Sequence, residues 1–199
     1  LLNTIRTCTS CEDCVDTIFQ NIGVHCAINA RCGREAEFPL IKTASAKNIL
    51  VIGGGPAGME AARIACEQGH SVTLYEKSSQ LGGLLSLAST MHRDNYRFLD
   101  YLRAEMQRLP VNIKLGTEVT PEFVRAQKAD AVIIATGSNV TTPNITTIDD
   151  ANVVSGTTLR QLLTNRFAHD TLGERVAIIG SGIVAVELAE FLAKKGKIV

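Results

Sequence analysis

Four cysteines, Cys8, Cys11, Cys14 and Cys26, lie near the start of the chain at spacings suited to binding a metal cluster. Two residues separate the first from the second and the second from the third, and eleven separate the third from the fourth. Three thiolates on one short loop can hold three corners of an iron–sulfur cubane while a more distant cysteine binds the fourth. The spacing therefore favours a [4Fe–4S] site formed by these four residues.

The sequence leaves other uses of the cysteines open. Four thiolates would also satisfy a tetrahedral zinc ion, although zinc sites usually contain two well-separated pairs of ligands. Disulfides and free thiols are further alternatives. Cys32 could compete with Cys26 as the fourth ligand. Cys66 falls inside a predicted helix, and we interpret it as a small buried residue.

A glycine-rich turn follows the cysteines. Gly53, Gly55 and Gly58 form the pattern G-x-G-x-x-G, with Pro56 and Ala57 inside it. The pattern stands between a predicted strand and a predicted helix, which is the context in which it indicates dinucleotide binding. The first glycine permits the tight turn, the second lets the backbone approach a pyrophosphate, and the third allows the helix and strand to pack closely. A glycine-rich turn with only a packing role is the alternative.

Further residues are predicted near the same turn. Glu76 ends the next predicted strand, where a carboxylate can accept hydrogen bonds from ribose hydroxyls. Gly82 and Gly83 would let the chain pass close to a phosphate or a flavin ribityl chain, although two glycines alone usually form only a turn. Thr136 and Gly137 follow a buried strand, and an ordinary strand exit explains them equally well.

A second turn near the end of the sequence repeats the first. Gly180, Gly182 and Ala185 have the same spacing, and alanine is an accepted variant in the third place. Two such turns predict two nucleotide-binding domains, of which the second is incomplete. The residue that would distinguish NAD from NADP is expected beyond Val199.

The elements that must position these residues alternate between strands and helices. Strands are predicted at 48–52, 71–75, 111–115 and 131–135, and helices at 56–68, 94–109, 121–127, 157–164 and 184–195. Gly69 is the predicted C-terminal cap of the first helix, and Thr120 the N-cap of the third. This alternation predicts an α/β, three-layer, Rossmann-like fold preceded by a small cysteine-rich segment.

Composition and charge exclude several classes of protein. The 199 residues are 45% hydrophobic, and twenty basic residues balance twenty acidic ones. Charges of one sign do not form blocks, so we expect no nucleic-acid partner and no acidic membrane surface. No apolar run approaches the roughly 20 residues of a spanning helix. Clustered cysteines without a preceding secretory signal predict a reducing, cytoplasmic compartment.

The order of the motifs resembles the C-terminal half of the iron–sulfur flavoproteins related to 2,4-dienoyl-CoA reductase, trimethylamine dehydrogenase and 2-enoate reductase. The resemblance covers essentially the whole chain. It depends on these segments: Ile5 to Cys14, Cys26, residues 52–58, Glu76, residues 81–83, residues 135–137 and the turn at Gly180. Ala30 departs from the family, in which a proline often follows the fourth cysteine.

The resemblance implies a set of cofactors and the residues that bind them. In that family an N-terminal TIM barrel of the old yellow enzyme type holds FMN and substrate, and a [4Fe–4S] cluster follows it. FAD or ADP occupies the first nucleotide-binding domain, and the next domain receives NAD(P)H. By resemblance the cluster ligands are Cys8, Cys11, Cys14 and Cys26. The implied FAD or ADP site consists of Gly53, Gly55, Pro56, Ala57, Gly58, Glu76, Lys77, Gly82, Gly83, Thr136 and Gly137. The implied NAD(P)H site begins with Gly180, Gly182 and Ala185.

The function implied by the resemblance is electron delivery. Hydride would pass from NAD(P)H to FAD, and single electrons would pass through the cluster to FMN in a barrel outside this sequence, where an enoate, enone or enoyl-CoA is reduced. Alternatives are an amine-dehydrogenase-like relative with structural ADP, or a non-catalytic electron-transfer module that docks on a separate subunit. A zinc-stapled scaffold and a glutamate-synthase-like small subunit are more distant possibilities. A homo-oligomer is compatible with all of these readings.

The motifs also predict how the chain is divided. Residues 1–46 would form the cluster segment, 47–145 the FAD or ADP domain, 146–170 a connector, and 171–199 the start of a truncated NAD(P)H domain. The sequence begins with Leu1 rather than Met, and residues 196–199 look like the opening of a strand. We therefore expect the chain to be part of a longer polypeptide.

Overall fold

The computed structural model describes residues 4–138, 153–154 and 172–199. Contacts between Cα atoms divide the chain into two compact units, Leu1–Ser89 with Arg93–Gly137, and Thr90–His92 with Ser138–Val199. The predicted helix at 157–164 and most of the predicted connector lie outside the described residues. The division into four segments stays a prediction, although the cysteines and the first glycine turn belong to the same compact unit.

The first unit is built on four parallel strands: β1 (Asn48–Ile52), β2 (Ser71–Tyr75), β3 (Asn112–Lys114) and β4 (Ala131–Ile134). Their order in the sheet is β3-β2-β1-β4. Ile49 of β1 pairs with Val72 on one side and with Ala131 on the other. β1 is central and apolar beyond its first residue, as expected of a parallel strand covered on both faces. The predicted α/β class with a parallel sheet is confirmed.

The helices of this unit are α1 (Asp13–Phe19), α2 (Pro56–Glu67), α3 (Gly83–Met91, whose last two residues are counted with the second unit), α4 (Arg93–Arg108) and α5 (Pro121–Ala126). The predicted boundaries of α2, α4 and α5 agree with the structure to within one residue. The Thr120 hydroxyl accepts a hydrogen bond from the Phe123 amide, which confirms the predicted N-cap. Helices α1 and α3 were not predicted; α1 has a single buried residue and α3 has none.

The hydrophobic core lies between the sheet and the helix pair α2 and α4. Its fully buried side chains are Val51, Met59, Leu74, Leu102 and Met106. Buried residues recur every three or four positions along α4, so one face of this helix is buried with the core. Within the described residues, no helix has both the length and the apolar character required to cross a bilayer.

The described part of the second unit contains one helix, α6 (Ile183–Lys194), and a parallel bridge between Arg175 and Ile198. The repeat of the first glycine turn predicts a strand ahead of α6. The structure shows only this bridge there, extended by a hydrogen bond from the Val176 amide to the Ile198 carbonyl. Parallel strands require neighbours for stability, and the described residues supply one short partner.

Candidate functional site

The first glycine turn connects β1 to α2 at the carboxyl edge of the sheet. Gly53 has φ +108°, and a Cβ added there would lie 2.2 Å from the Ala135 carbonyl oxygen. A Cβ on Gly58 would lie 1.8 Å from the Gly53 carbonyl oxygen. No other residue type fits these two positions without a backbone shift. The predicted roles of these two glycines, the tight turn and the close helix–strand packing, therefore agree with the geometry.

The amino end of α2 is open where the second glycine stands. Gly55 is the N-cap, and no side chain hydrogen-bonds to this helix end. A Cβ added to Gly55 would meet only the Cα of Gly83, at 4.0 Å, among the described residues. Pro56 and Ala57 form the first helical positions behind it. A helix end with free amides and space in front of it is suited to a phosphate group.

The carboxylate of Glu76 holds the turn from the neighbouring strand. Its two oxygens accept hydrogen bonds from the Gly54 amide at 2.6 Å and the Ser78 amide at 2.7 Å. Burial acts to raise the pKa of Glu76, but the bonds from Ser78 and Gly54 outweigh burial and lower it. The carboxylate is therefore ionised at neutral pH. Each oxygen keeps a second lone pair, so a ribose hydroxyl remains a possible donor to the same group.

The turn formed by Gly82 and Gly83 lies directly against the first glycine turn. The Gly82 amide donates a hydrogen bond to the Gly54 carbonyl at 2.8 Å. A Cβ on Gly83 would come within 3.0 Å of the Gly55 Cα. Arg103 of α4 also supports this turn, because its Nε donates to the Leu81 carbonyl at 3.1 Å. No motif pointed to Arg103, because its partner lies 22 residues away in sequence.

The exit of β4 completes this edge of the sheet. The Thr136 amide nitrogen lies 3.1 Å from the position of a Cβ on Gly53. Thr136, Gly137 and Lys77 are exposed. The structure thus brings the exits of β1, β2 and β4 together with the Gly82–Gly83 turn. This is the arrangement that the sequence predicts for the FAD or ADP site.

The cysteines of the first unit are all free thiols. Cys8 and Cys11 are exposed, while Cys14, Cys26 and Cys32 are partly buried. Two successive turns connect Cys26 to Cys32, with hydrogen bonds from the Asn29 amide to the Cys26 carbonyl and from the Cys32 amide to the Asn29 carbonyl. Burial raises the pKa of the Cys32 thiol, and nearby Cys26 and Cys14 raise it further. The raised pKa disfavours the thiolate that binds metal, and it is the proximity of Cys32 to Cys26 and Cys14 that keeps it a candidate for the fourth ligand.

Two observations near Cys8 agree with a cluster in this segment. The Ser10 amide points to the Cys8 sulfur at 3.3 Å, as amides do around iron–sulfur sites. The Thr7 hydroxyl is buried and has no hydrogen-bond partner within the described part of the chain. Buried hydroxyls normally have a partner, and a cluster sulfur beside Cys8 would supply one. Among residues 4–138, 153–154 and 172–199, no three His, Cys, Asp or Glu side chains are placed to hold one metal ion.

The second glycine turn is less enclosed than the first. Gly182 is the N-cap of α6, and a Cβ added to it would meet nothing within 4 Å among the described residues. Among the residues that the structure describes, a Cβ on Gly180 would come no closer than 3.7 Å, to the Cβ of Ala185. Ile179 and Ile183 are 87% and 74% exposed. The helix end that an anion could approach is present, but no neighbouring strand exit is described beside it.

Comparison with known proteins identifies relatives over nearly the whole chain. The profile of the family "Pyridine nucleotide-disulphide oxidoreductase" matches residues 4–128 and 47–199. The chain is 39% identical to an NADH oxidase of Thermoanaerobacter brockii over 199 residues, covering 98% of this chain and 30% of that protein. It is 37% identical to a cinnamate reductase of Clostridium sporogenes, covering 97% of this chain and 28% of that protein.

A solved structure gives a similar result. A 2-naphthoyl-CoA reductase in complex with 2-naphthoyl-CoA superposes with a TM-score of 0.86 at 33% sequence identity. The match covers 98% of this chain and 29% of that one. The chain therefore spans about a third or less of the length of the proteins it resembles.

Proposed function

The chain belongs to the pyridine nucleotide-disulphide oxidoreductase family, and on that basis we propose that it is the electron-delivery portion of an NAD(P)H-dependent flavin oxidoreductase. Its relatives include an NADH oxidase and two reductases, and each is several times longer than this chain. The assignment to the flavoproteins related to 2-enoate reductase, made from the sequence, is confirmed by these relatives. The catalytic site that receives the electrons would lie in a barrel outside this sequence or on a separate subunit.

The first glycine turn is the proposed site of FAD or ADP. The amino end of α2 would bind the pyrophosphate, because Gly55 leaves its first amides accessible. Glu76 fixes the turn by accepting a hydrogen bond from the Gly54 amide, and it would also accept a hydrogen bond from a ribose hydroxyl. Gly82, Gly83, Thr136 and Lys77 would line the remaining sides. A bound flavin would supply hydride and single-electron chemistry, while the chain supplies position and charge.

The cysteine segment is the proposed site of a [4Fe–4S] cluster. Cys8, Cys11, Cys14 and Cys26 would be its ligands, with Cys32 as the alternative to Cys26. The Ser10 amide and the Thr7 hydroxyl would donate hydrogen bonds to sulfur, and such bonds help set the potential of a cluster. The second turn, Gly180, Gly182 and Ala185, would bind NAD(P)H. The substrate class that we propose for the whole protein is an enoate, enone or enoyl-CoA.

The observation that carries the proposal is the convergence at the carboxyl edge of the sheet. The first glycine turn lies there beside the exits of β1, β2 and β4. Hydrogen bonds join this turn to the buried carboxylate of Glu76 and to the Gly82–Gly83 turn. In open parallel sheets, ligands bind outside the carboxyl ends of the strands.

The direct test is to purify the full-length protein without oxygen and to measure its absorption spectrum, its iron and its inorganic sulfide. We expect flavin bands together with a broad iron–sulfur absorption, and bleaching of both on addition of NADH or NADPH. A protein with neither flavin nor iron would overturn the proposal. Zinc in place of iron would favour the scaffold alternative.

Matched variants separate the two proposed sites. Cys11→Ser should remove iron and sulfide but leave flavin or ADP bound, because Cys11 is exposed and distant in sequence from the glycine turns. Cys66→Ser is the control, since Cys66 lies on α2 and is no proposed ligand, and it should retain the iron content of the native protein. Equal iron loss in both variants would contradict the ligand assignment.

A further inference from the structure

Arg6 connects the cysteine segment to both helices of the core. It stands two residues before Cys8, and its side chain is 15% exposed. One guanidinium nitrogen donates to the Ile28 carbonyl at 2.6 Å, two residues after Cys26. The other donates to both carboxylate oxygens of Glu60 at 2.9 Å. Arg6 therefore holds the two cysteine-bearing loops to each other and to α2.

Contacts with α4 fix the same guanidinium from a third direction. Its second terminal nitrogen lies 3.3 Å from the Tyr101 hydroxyl, and its central carbon lies 5.2 Å from the centre of the Tyr101 ring. In an ordinary surface ion pair each charge has one partner and is largely exposed, and the pair contributes little to stability. Arg6 instead contacts three separate segments while mostly buried. This geometry limits the guanidinium to a single position.

The acceptor, Glu60, belongs to the same helix as the glycine turn. It lies two residues beyond Gly58, and Arg63 also donates to it, at 2.8 and 2.9 Å. Arg63 then pairs with Glu67 at 2.7 Å, which pairs in turn with Arg108 of α4. Because Glu60 is bonded from both sides, hydrogen bonds run without a break from α2 through Arg6 to the segments that bear Cys8 and Cys26.

We propose that Arg6 is a positioning residue that couples the thiol site to the nucleotide turn, so that a nucleotide bound at α2 changes how accessible the Cys26 thiol is. The inference rests on the proposed function in one respect, namely that the first turn binds ADP or an ADP-containing cofactor. It does not require the cluster to be present.

The test measures alkylation of Cys26 in the full-length protein after removal of metal and of any bound flavin, with and without saturating ADP, by mass spectrometry of the labelled peptide. In the native protein we expect ADP to slow the alkylation about fivefold, the lower end of typical coupling between sites. In Arg6→Met, which keeps an unbranched apolar stem but removes the guanidinium and its donors, the ratio of the two rates should fall to about one. Glu60→Gln should reduce the ratio to an intermediate value. This variant replaces Arg6→Met in the test if Arg6→Met does not fold.

Arg125→Met is the control. Arg125 lies on α5, outside the cysteine segment, and its ion-pair partner is Glu122, three residues away, so the control should keep the native ratio. A purely structural role for Arg6 would change alkylation equally with and without ADP, leaving the ratio unchanged. An unchanged ratio in Arg6→Met, or no effect of ADP on the native protein that binds it, would overturn this inference alone. Failure of both ADP and FAD to bind would overturn the proposed function as well.

Discussion

The two glycine turns share one spacing but have different surroundings. In the first, a Cβ on Gly58 would collide with the Gly53 carbonyl oxygen at 1.8 Å, and Met59 behind it is fully buried. In the second, Ala185 already occupies the position that corresponds to Gly58, and Val186 behind it is 61% exposed. The same motif is therefore a tightly packed junction in one place and an open turn in the other.

The difference shows that the motif specifies a local conformation and its neighbours specify a site. The first turn is enclosed by the exits of β2 and β4 and by the Gly82–Gly83 turn. Around the second turn, the described residues provide one parallel bridge. A helix end that can bind a phosphate is common to both. Groups that would select a ribose or a flavin, such as Glu76 and the Gly82–Gly83 turn, are described only around the first glycine turn.

The largest expected effect comes from exchanging the third residue of the two turns. Gly58→Ala places a methyl group against a backbone carbonyl that cannot rotate away, so we expect a loss of about 3 kcal/mol or more in the free energy of unfolding. Ala185→Gly should cost only about 0.5–1 kcal/mol, the usual effect of glycine in a helix. Urea denaturation followed by circular dichroism measures both. Equal losses would show that the two turns are packed alike.

The residue after each turn gives the second contrast. Met59→Ala removes a fully buried side chain from the core and should cost about 2–5 kcal/mol. Val186→Ala changes a side chain that is mostly exposed and should alter stability by no more than about 0.5 kcal/mol. Thermal unfolding of the 199-residue chain distinguishes the two. A loss above about 2 kcal/mol for Val186→Ala would mean that the second turn has a core of its own.

Sequence patterns predicted the regular elements of the first unit well, because local signals determine them. The apolar run of β1, the proline at the start of α2 and the cap at Thr120 each act within a few residues. Helix α1 was missed because it follows the cysteine loop with a single buried residue, Thr17. Val15, Ile18 and Phe19 do follow helical spacing, but the pattern spans only five residues, and in the structure these side chains are exposed.

The candidate site was predicted in part. Glycine spacing and the strand-end position of Glu76 located the turn, but the bond from the Gly54 amide to Glu76 joins residues 22 apart. The supporting arginines, Arg6 and Arg103, were not identified as part of a site, because their partners lie 22 to 95 positions away. A guanidinium with distant partners leaves no local signal in a sequence. Their roles follow only from tertiary contacts.

The support that Glu76 gives the first turn provides a third, smaller test. Glu76→Gln replaces one acceptor oxygen with an amide that cannot accept a hydrogen bond, so either the Gly54 or the Ser78 amide loses its partner. A buried amide without a partner costs about 1–3 kcal/mol. We expect a loss of that size at pH 7, measured by urea denaturation, with Glu122→Gln as a fully exposed control that changes little.

The loss should also depend on pH. The pKa of Glu76 is lower in the folded chain than the value of about 4.3 in an unfolded one. Its contribution is therefore complete above about pH 4.3 and disappears as the pH falls through the folded pKa. The native protein and Glu76→Gln should thus converge in stability under acid conditions. A constant difference down to pH 3 would indicate that the charge of Glu76 is not what stabilises the turn.

The smallest effect on stability, and the sharpest on ligand binding, is expected at the second glycine of each turn. Gly55→Ala adds a methyl group to an open notch with φ −75°, so unfolding should change by no more than about 0.5 kcal/mol. The methyl group would stand where a pyrophosphate must approach, so affinity for ADP or FAD should fall about tenfold or more, equivalent to about 1.4 kcal/mol. Gly182→Ala is the counterpart. It should leave that affinity unchanged and weaken the binding of NADH or NADPH. Calorimetric titration measures the affinity of all four ligands. If Gly182→Ala instead weakened the binding of ADP, ADP would bind at the second turn, and the assignment of one nucleotide to each turn would be wrong.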